Sequence, residues 1–287
     1  MQTVVLTSLA LIAFAGNSVL CRLALAEQTI DAGSFTWIRL LSGVLVLALI
    51  LALSRNAGRA TSKGSWTGGL SLFVYAVAFS YAYISLDTGT GALILFGSVQ
   101  ITMIIAGLWA GERLNSMQCL GVLLAFAGLV YLIFPSVSTP SLFGFVLMAA
   151  AGIAWGVYSM MGKRSTAPLS DTAYNFYRTI PFVIVLAILS FEGSHVTRKG
   201  VVLAILSGGL TSGVGYAIWY RALEGLSSVQ AAVWQLLVPI IAAFGGVLFT
   251  SELLSLNLVV SAALVLGGIL IVILTKHGRE RASSKTH

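Results

Sequence analysis

The two halves of the chain are copies of one another. Phe14 with Arg22 aligns on Trp155 with Lys163, Arg39 on Arg178, Leu86-Asp87 on Leu223-Glu224, Gly111-Glu112 on Ser251-Glu252 and Gly128 on Gly268, an offset of about 140 residues. Each copy holds five apolar stretches. An odd number of crossings inserts the second copy into a bilayer upside down relative to the first, so the doubling predicts an inverted repeat.

Composition sets the medium. Hydrophobic residues at 58%, charged residues at 9% and a mean hydropathy of +0.97 mark an integral membrane protein. A helix needs roughly 20 apolar residues to cross a hydrocarbon core of ~30 Å, so ten crossings consume most of the 287 residues and leave no room for a soluble domain. Runs such as Val44 to Leu53 and Leu264 to Leu274 are apolar all round. That pattern fits helices rather than a membrane barrel, whose strands alternate. The expected fold is therefore all-α, with ten transmembrane helices in a 5+5 inverted repeat. The spans fall near 4–25, 34–53, 66–86, 90–110 and 117–134, then 142–161, 173–190, 201–220, 229–250 and 257–275. The first repeat covers 3–134 and the second 142–276, separated by a turn bracketed by Pro135 and Pro140; residues 277–287 form a polar, basic tail expected to be disordered.

With the N-terminus inside, eleven of the sixteen Lys and Arg residues lie in inner loops or the tail, whereas Arg198 and Lys199 alone lie outside. Both termini are accordingly expected in the cytoplasm. The same asymmetry accounts for the net charge of +7 through contact with an anionic leaflet and gives no ground for nucleic acid as a partner. Ala24-Leu25-Ala26 resembles a signal-peptidase site. However, Met1 to Thr3 carries no basic residue and Asn17 interrupts the apolar stretch, so the segment reads as a retained span.

Polar and aromatic residues inside the spans mark where a solute would pass. Phe14 and Asn17 share one face of span 1, and their mates Trp155 and Tyr158 share one face of span 6. An amide halfway along a span has no cheap reason to face lipid, so these faces are expected to line a cavity. Ser98 in span 4 and Gln235 in span 9 lie near mid-membrane, and Tyr75 is deep in span 3; Tyr83, Trp219 and Tyr220 lie near span ends and read as interfacial belt residues. Pro239 is central in span 9 and should kink it, providing a candidate hinge. Arg39 and Arg178 stand about five residues inside their spans, within snorkelling reach of head groups. They are read as a repeat-related structural pair and left out of the site, with Asp87 or Glu27 as possible partners of Arg39. Small residues at Gly107 and Gly111, Gly121 and Ala125, and Ala263 and Gly267 serve close helix contact; spans 5 and 10 could equally form a dimer face, although no feature supports an oligomer.

Several function classes are excluded by what the spans lack. None of the nine acids is central in a span, where a proton relay or cation site normally has one. There is no Walker sequence, the three histidines lie in loops or the tail, and no Ser, His and Asp set converges at membrane depth. Enzyme activity, metal ions and cofactors are therefore not expected.

With Phe14-Ala15-Gly16-Asn17 and Trp155-Gly156-Val157-Tyr158 opening the halves, and Gly-Glu and Ser-Glu closing spans 4 and 9, the chain resembles the drug/metabolite transporter superfamily, as two EamA domains. It is most similar to the ten-helix amino acid exporters of the YddG type. The resemblance implies a basket of helices around a central cavity formed by spans 1, 3, 4, 6, 8 and 9. It also implies outward transport of aromatic and other amino acids across a bacterial inner membrane, with the family's aromatic cavity residues falling on Phe14, Tyr75 and Trp155. A tryptophan of those relatives falls on Ser98, which implies a roomier and more polar cavity. The expected function is broad amino acid export by alternating access, with Phe14, Asn17, Tyr75, Ser98, Trp155, Tyr158 and Gln235 contacting substrate. The alternatives are another small metabolite or drug on the same scaffold, or a membrane receptor or assembly protein that transports nothing.

Overall fold

The computed structural model describes residues 2–54, 62–109, 114–133, 140–163, 165–226 and 228–284. The Gly111-Glu112 pair, the connection 134–139, and Arg55, Arg59, Arg113, Arg164 and Lys285 of the charge count lie outside the described residues. Among the described residues ten helical stretches follow one another. Six are single helices: α1 (Gln2–Ala26), α2 (Ala32–Leu53), α3 (Trp66–Ala82), α4 (Thr88–Trp109), α5 (Ser116–Ile133) and α6 (Leu142–Lys163). The seventh comprises α7 (Pro168–Tyr177) and α8 (Ile180–Leu189). The eighth runs through α9 (Arg198–Ile205), a π-helical segment (Leu206–Val214) and α10 (Gly215–Leu223); α11 (Ser228–Gln235) and α12 (Leu237–Thr250) form the ninth, and α13 (Leu256–Ser284) the tenth. Eight of the ten are long and apolar enough to cross a membrane, and the other two, α3 and α5, are shorter apolar helices. Large apolar side chains such as Leu45, Leu49, Ile188 and Leu248 clad the outside, as a lipid-facing surface requires.

Successive stretches run in opposite directions, as the contacts at the two ends show. At the N-terminal end Asp171 accepts hydrogen bonds from the Ser62 hydroxyl and the Gly64 amide, and Asn175 accepts from the Ser65 amide. At the opposite end Asp31 accepts from the Ser34 amide, capping α2, and from the amide of His195. Lys199 pairs there with Glu27. Between the ends, α1 packs on the eighth and ninth stretches, α6 packs on α3 and α4, and α5 packs along α13.

Several elements depart from the expected spans for identifiable reasons. Pro181 lacks the N–H that would bond the Tyr177 carbonyl, and the seventh stretch breaks at Arg178 and Thr179. The expected kink at Pro239 is a break at Leu236: Pro239 cannot donate to Gln235, the last residue of α11. Tyr83 and Trp219 are buried instead of standing in an interfacial belt. The Tyr83 hydroxyl donates to the Thr88 carbonyl at 3.3 Å, and Trp219 packs on Phe14 at 5.7 Å between ring centroids. α13 continues to Ser284 across most of the expected disordered tail. Gly121 and Gly268 bring α5 and α13 together backbone to backbone within the chain, whereas a Cβ on Gly267 would meet no atom within 4 Å.

Candidate functional site

A small, partly open cavity lies between the two halves of the chain and is lined by residues of both. Of the seven residues expected to contact a substrate, Phe14 and Asn17 (α1), Tyr75 (α3), Trp155 (α6) and Gln235 (α11) line it. Tyr216 of α10 and Thr211 and Ser212 of the π segment line it as well.

One wall is aromatic. Trp155 stacks on Tyr216, with centroids 5.2 Å apart and planes at 22°, and meets Tyr75 at 5.0 Å; Phe14 meets Tyr216 at 5.8 Å. The other wall is a hydrogen-bonded cluster around Asn17. Its Oδ1 accepts from the Ser207 hydroxyl at 2.6 Å and from Thr211 at 3.4 Å, while its Nδ2 donates to the Tyr75 hydroxyl at 3.2 Å. Asn17 thus ties α1 to α3 and to the π segment. The Gln235 amide has no hydrogen-bond partner among the described residues; it lines the cavity at the last residue of α11.

The other two residues of the expected set, Ser98 and Tyr158, do not line this cavity. Ser98 lies in the packing contact of α4 with α6, where a Cβ on Gly152 would come within 2.6 Å of the Ser98 Cβ. Tyr158 bonds Thr172 at 2.9 Å, and Thr172 bonds Tyr220 at 2.9 Å; both Tyr158 and Thr172 line a second, wider cavity at the N-terminal end. The Tyr220 hydroxyl is therefore engaged inside the protein rather than in a belt.

Arg39 departs furthest from expectation. It does not snorkel: it is 2% exposed, its Nη2 donates to the Tyr75 hydroxyl at 3.1 Å, and its guanidinium carbon lies 4.8 Å from the Phe79 ring centroid. Neither suggested acid reaches it, since Asp87 pairs with Arg22 and Glu27 with Lys199. Its mate Arg178 behaves as an interfacial residue, donating to the Lys63 carbonyl and lying 5.8 Å from the Trp66 ring centroid. The two arginines do not share a role. Depth along the span alone could not separate them; the packing of Gly208 against the Arg39 backbone, which draws the π segment onto α2, is a tertiary feature.

The model of the EamA-like transporter family matches the chain twice, over residues 1–134 and 142–274. The chain belongs to this family of transporters. An uncharacterized protein of Pseudomonas aeruginosa is 48% identical over 97% of this chain and 96% of its own length. An uncharacterized transporter of Archaeoglobus fulgidus is 29% identical over 84% of this chain and 87% of its own. A probable amino-acid metabolite efflux pump of Escherichia coli is 27% identical over 71% of this chain and 74% of its own. One crystal structure of a protein 20% identical matches with a TM-score of 0.63 over 93% of this chain and 98% of that one, which shows a shared fold. Membership of the drug/metabolite transporter superfamily and a multi-pass membrane location follow.

Proposed function

We propose that the chain exports amino acids of broad range across a bacterial cytoplasmic membrane, by alternating access of two inverted five-helix halves (3–134 and 142–276) with both termini in the cytoplasm. The observation that carries this reading is the cavity itself. The Phe14, Trp155 and Tyr216 rings offer an apolar side-chain surface whose π faces also attract an ammonium group. Asn17, Tyr75 and Gln235 offer the amide and hydroxyl groups that a zwitterion needs on leaving water. Outward direction is supported by the efflux-pump relative of Escherichia coli. Inversion of the halves is supported by the packing, since α1 contacts the eighth and ninth stretches as its mate α6 contacts α3 and α4. No carboxylate lines the cavity, and transport is driven mainly by the substrate gradient. A cationic drug is the less suitable cargo for the same reason.

The test is flux in proteoliposomes loaded with a mixed pool of labelled amino acids. Several should cross faster with the protein than in protein-free vesicles. Trp155→Ala should lower the rate for aromatic and large apolar members about tenfold, the order expected when an aromatic stack of ~1 kcal/mol is lost together with buried ring area. Unchanged kinetics for every member of the pool would remove Trp155 from the path.

A further inference from the structure

Arg39 is a full positive charge with no counter-ion among the described residues. None of the ion pairs among the described residues includes it. Its Nη1 is buried without a hydrogen-bond partner, which is uncommon for so strong a donor. An isolated buried ion is costly, and ionisable groups kept at membrane depth are normally paired or placed beside a transport path.

The link from Arg39 to the cavity is the Tyr75 hydroxyl. A phenol oxygen has two lone pairs and one proton to donate. Arg39 Nη2 at 3.1 Å and Asn17 Nδ2 at 3.2 Å take up both lone pairs. The amide of Asn17 is held in that orientation because its oxygen accepts from Ser207 and Thr211. The Tyr75 O–H is left as a donor with no acceptor among the described residues, on a side chain that lines the cavity. A cation on one side of a hydroxyl polarises it as a donor, and the low dielectric strengthens the effect.

We propose that Tyr75 receives the carboxylate of the transported solute and that Arg39, acting through it as a positioning residue, restricts the cavity to solutes carrying an anionic group. Amines and amides of the same shape are then disfavoured because they leave the Arg39 charge unanswered and bring no acceptor of comparable strength. The proposal rests on the amino acid reading of the site and specifies which end of the substrate is read.

The experiment uses the purified full chain in proteoliposomes and the labelled amino acid that crosses fastest from the mixed pool, competed with its amide, its decarboxylated amine and its deaminated acid. For phenylalanine these are phenylalaninamide, phenethylamine and 3-phenylpropionate. The acid should inhibit wild-type flux at least tenfold more strongly than the amine or the amide. Tyr75→Phe and Arg39→Gln should raise KM about tenfold and flatten that preference, and Arg39→Lys should restore part of it. A purely structural Arg39 would change yield and melting without moving the preference. If the amide or amine competes as well as the acid in the wild type while the amino acid still crosses, the proposal is overturned and the amino acid reading stands. If no member of the pool crosses, that reading falls and takes the proposal with it. The wild-type competition and Tyr75→Phe decide the matter even where Arg39→Gln fails to fold.

Discussion

Ser98 and Asn17 are both buried small polar residues, yet their surroundings assign them opposite sensitivities. The Ser98 side chain fills the α4–α6 contact against Gly152, so Ser98→Ala should leave flux within about twofold of wild type, as substitutions that leave packing intact usually do. Asn17→Ala removes the acceptor for Ser207 and one of the two donors to Tyr75. A buried group left unpaired costs about 1–3 kcal/mol, so the melting midpoint in detergent, followed by tryptophan fluorescence, should fall by several degrees and flux should fall with it. A strong effect of Ser98→Ala on substrate preference would return that residue to the cavity. The contrast also marks what the sequence could convey. Asn17 stands on the same helix face as Phe14, and facing rhythm placed both at the cavity. For Ser98 the sequence offers depth in the span and the resemblance, and neither says which neighbour a side chain meets.

At the scale of elements, the ten stretches are legible because each is an apolar run, whereas of their interruptions only the one at Pro239 is announced in the sequence reading. The π segment carries no such signal. Its Ser and Gly residues read as an ordinary small-residue helix, and its widened turn depends on how Gly208 seats against the Arg39 carbonyl and the Ser42 hydroxyl. Ser207 and Thr211, the partners of Asn17, were missed with it. The break before Pro239 makes a mechanical prediction. Pro239→Ala restores an N–H able to bond the Gln235 carbonyl, so α11 and α12 can join into one helix. If the break bends during the access change, turnover should drop severalfold while KM stays within about threefold, because a gating step is affected more than the binding groups. Initial rates over a range of substrate concentrations separate the two. Equal turnover in the variant would assign Pro239 to static packing.

At the scale of the whole molecule, the two ends of the cavity are bordered by different chemistry. Toward the N-terminal end lie the Tyr158–Thr172–Tyr220 hydroxyl chain and beside it the second, wider cavity. The opposite end is held by charge. Arg22 reaches Asp87 and Glu252, each at 3.2 Å, and the carbonyls of Tyr83 and Ile84; Glu252 in turn accepts from the Thr88 amide at 2.8 Å and the Thr88 hydroxyl at 3.0 Å, at the start of α4. One arginine thereby fastens α1 to the α3–α4 connection and to the α12–α13 connection. The Arg22 and Glu252 side chains are only 17% and 11% exposed, so their pairing is weakly screened. Breaking a buried pair by removing one partner typically costs about 3–5 kcal/mol. If even ~1.4 kcal/mol of that distinguishes the sealed end from an open one, the population open at that end rises tenfold. The prediction is read by thiol labelling. With Cys21 and Cys119 replaced by serine and a cysteine placed at Ser18, which lines the cavity, a membrane-impermeant maleimide added on the side opposite the N-terminus should label Glu252→Gln severalfold faster than its parent. Arg22→Ala should act in the same direction, and saturating substrate should protect the cysteine in both. Labelling unchanged by either substitution would mean that the apolar packing around Tyr83 and Phe79, rather than the ion pairs, keeps that end shut.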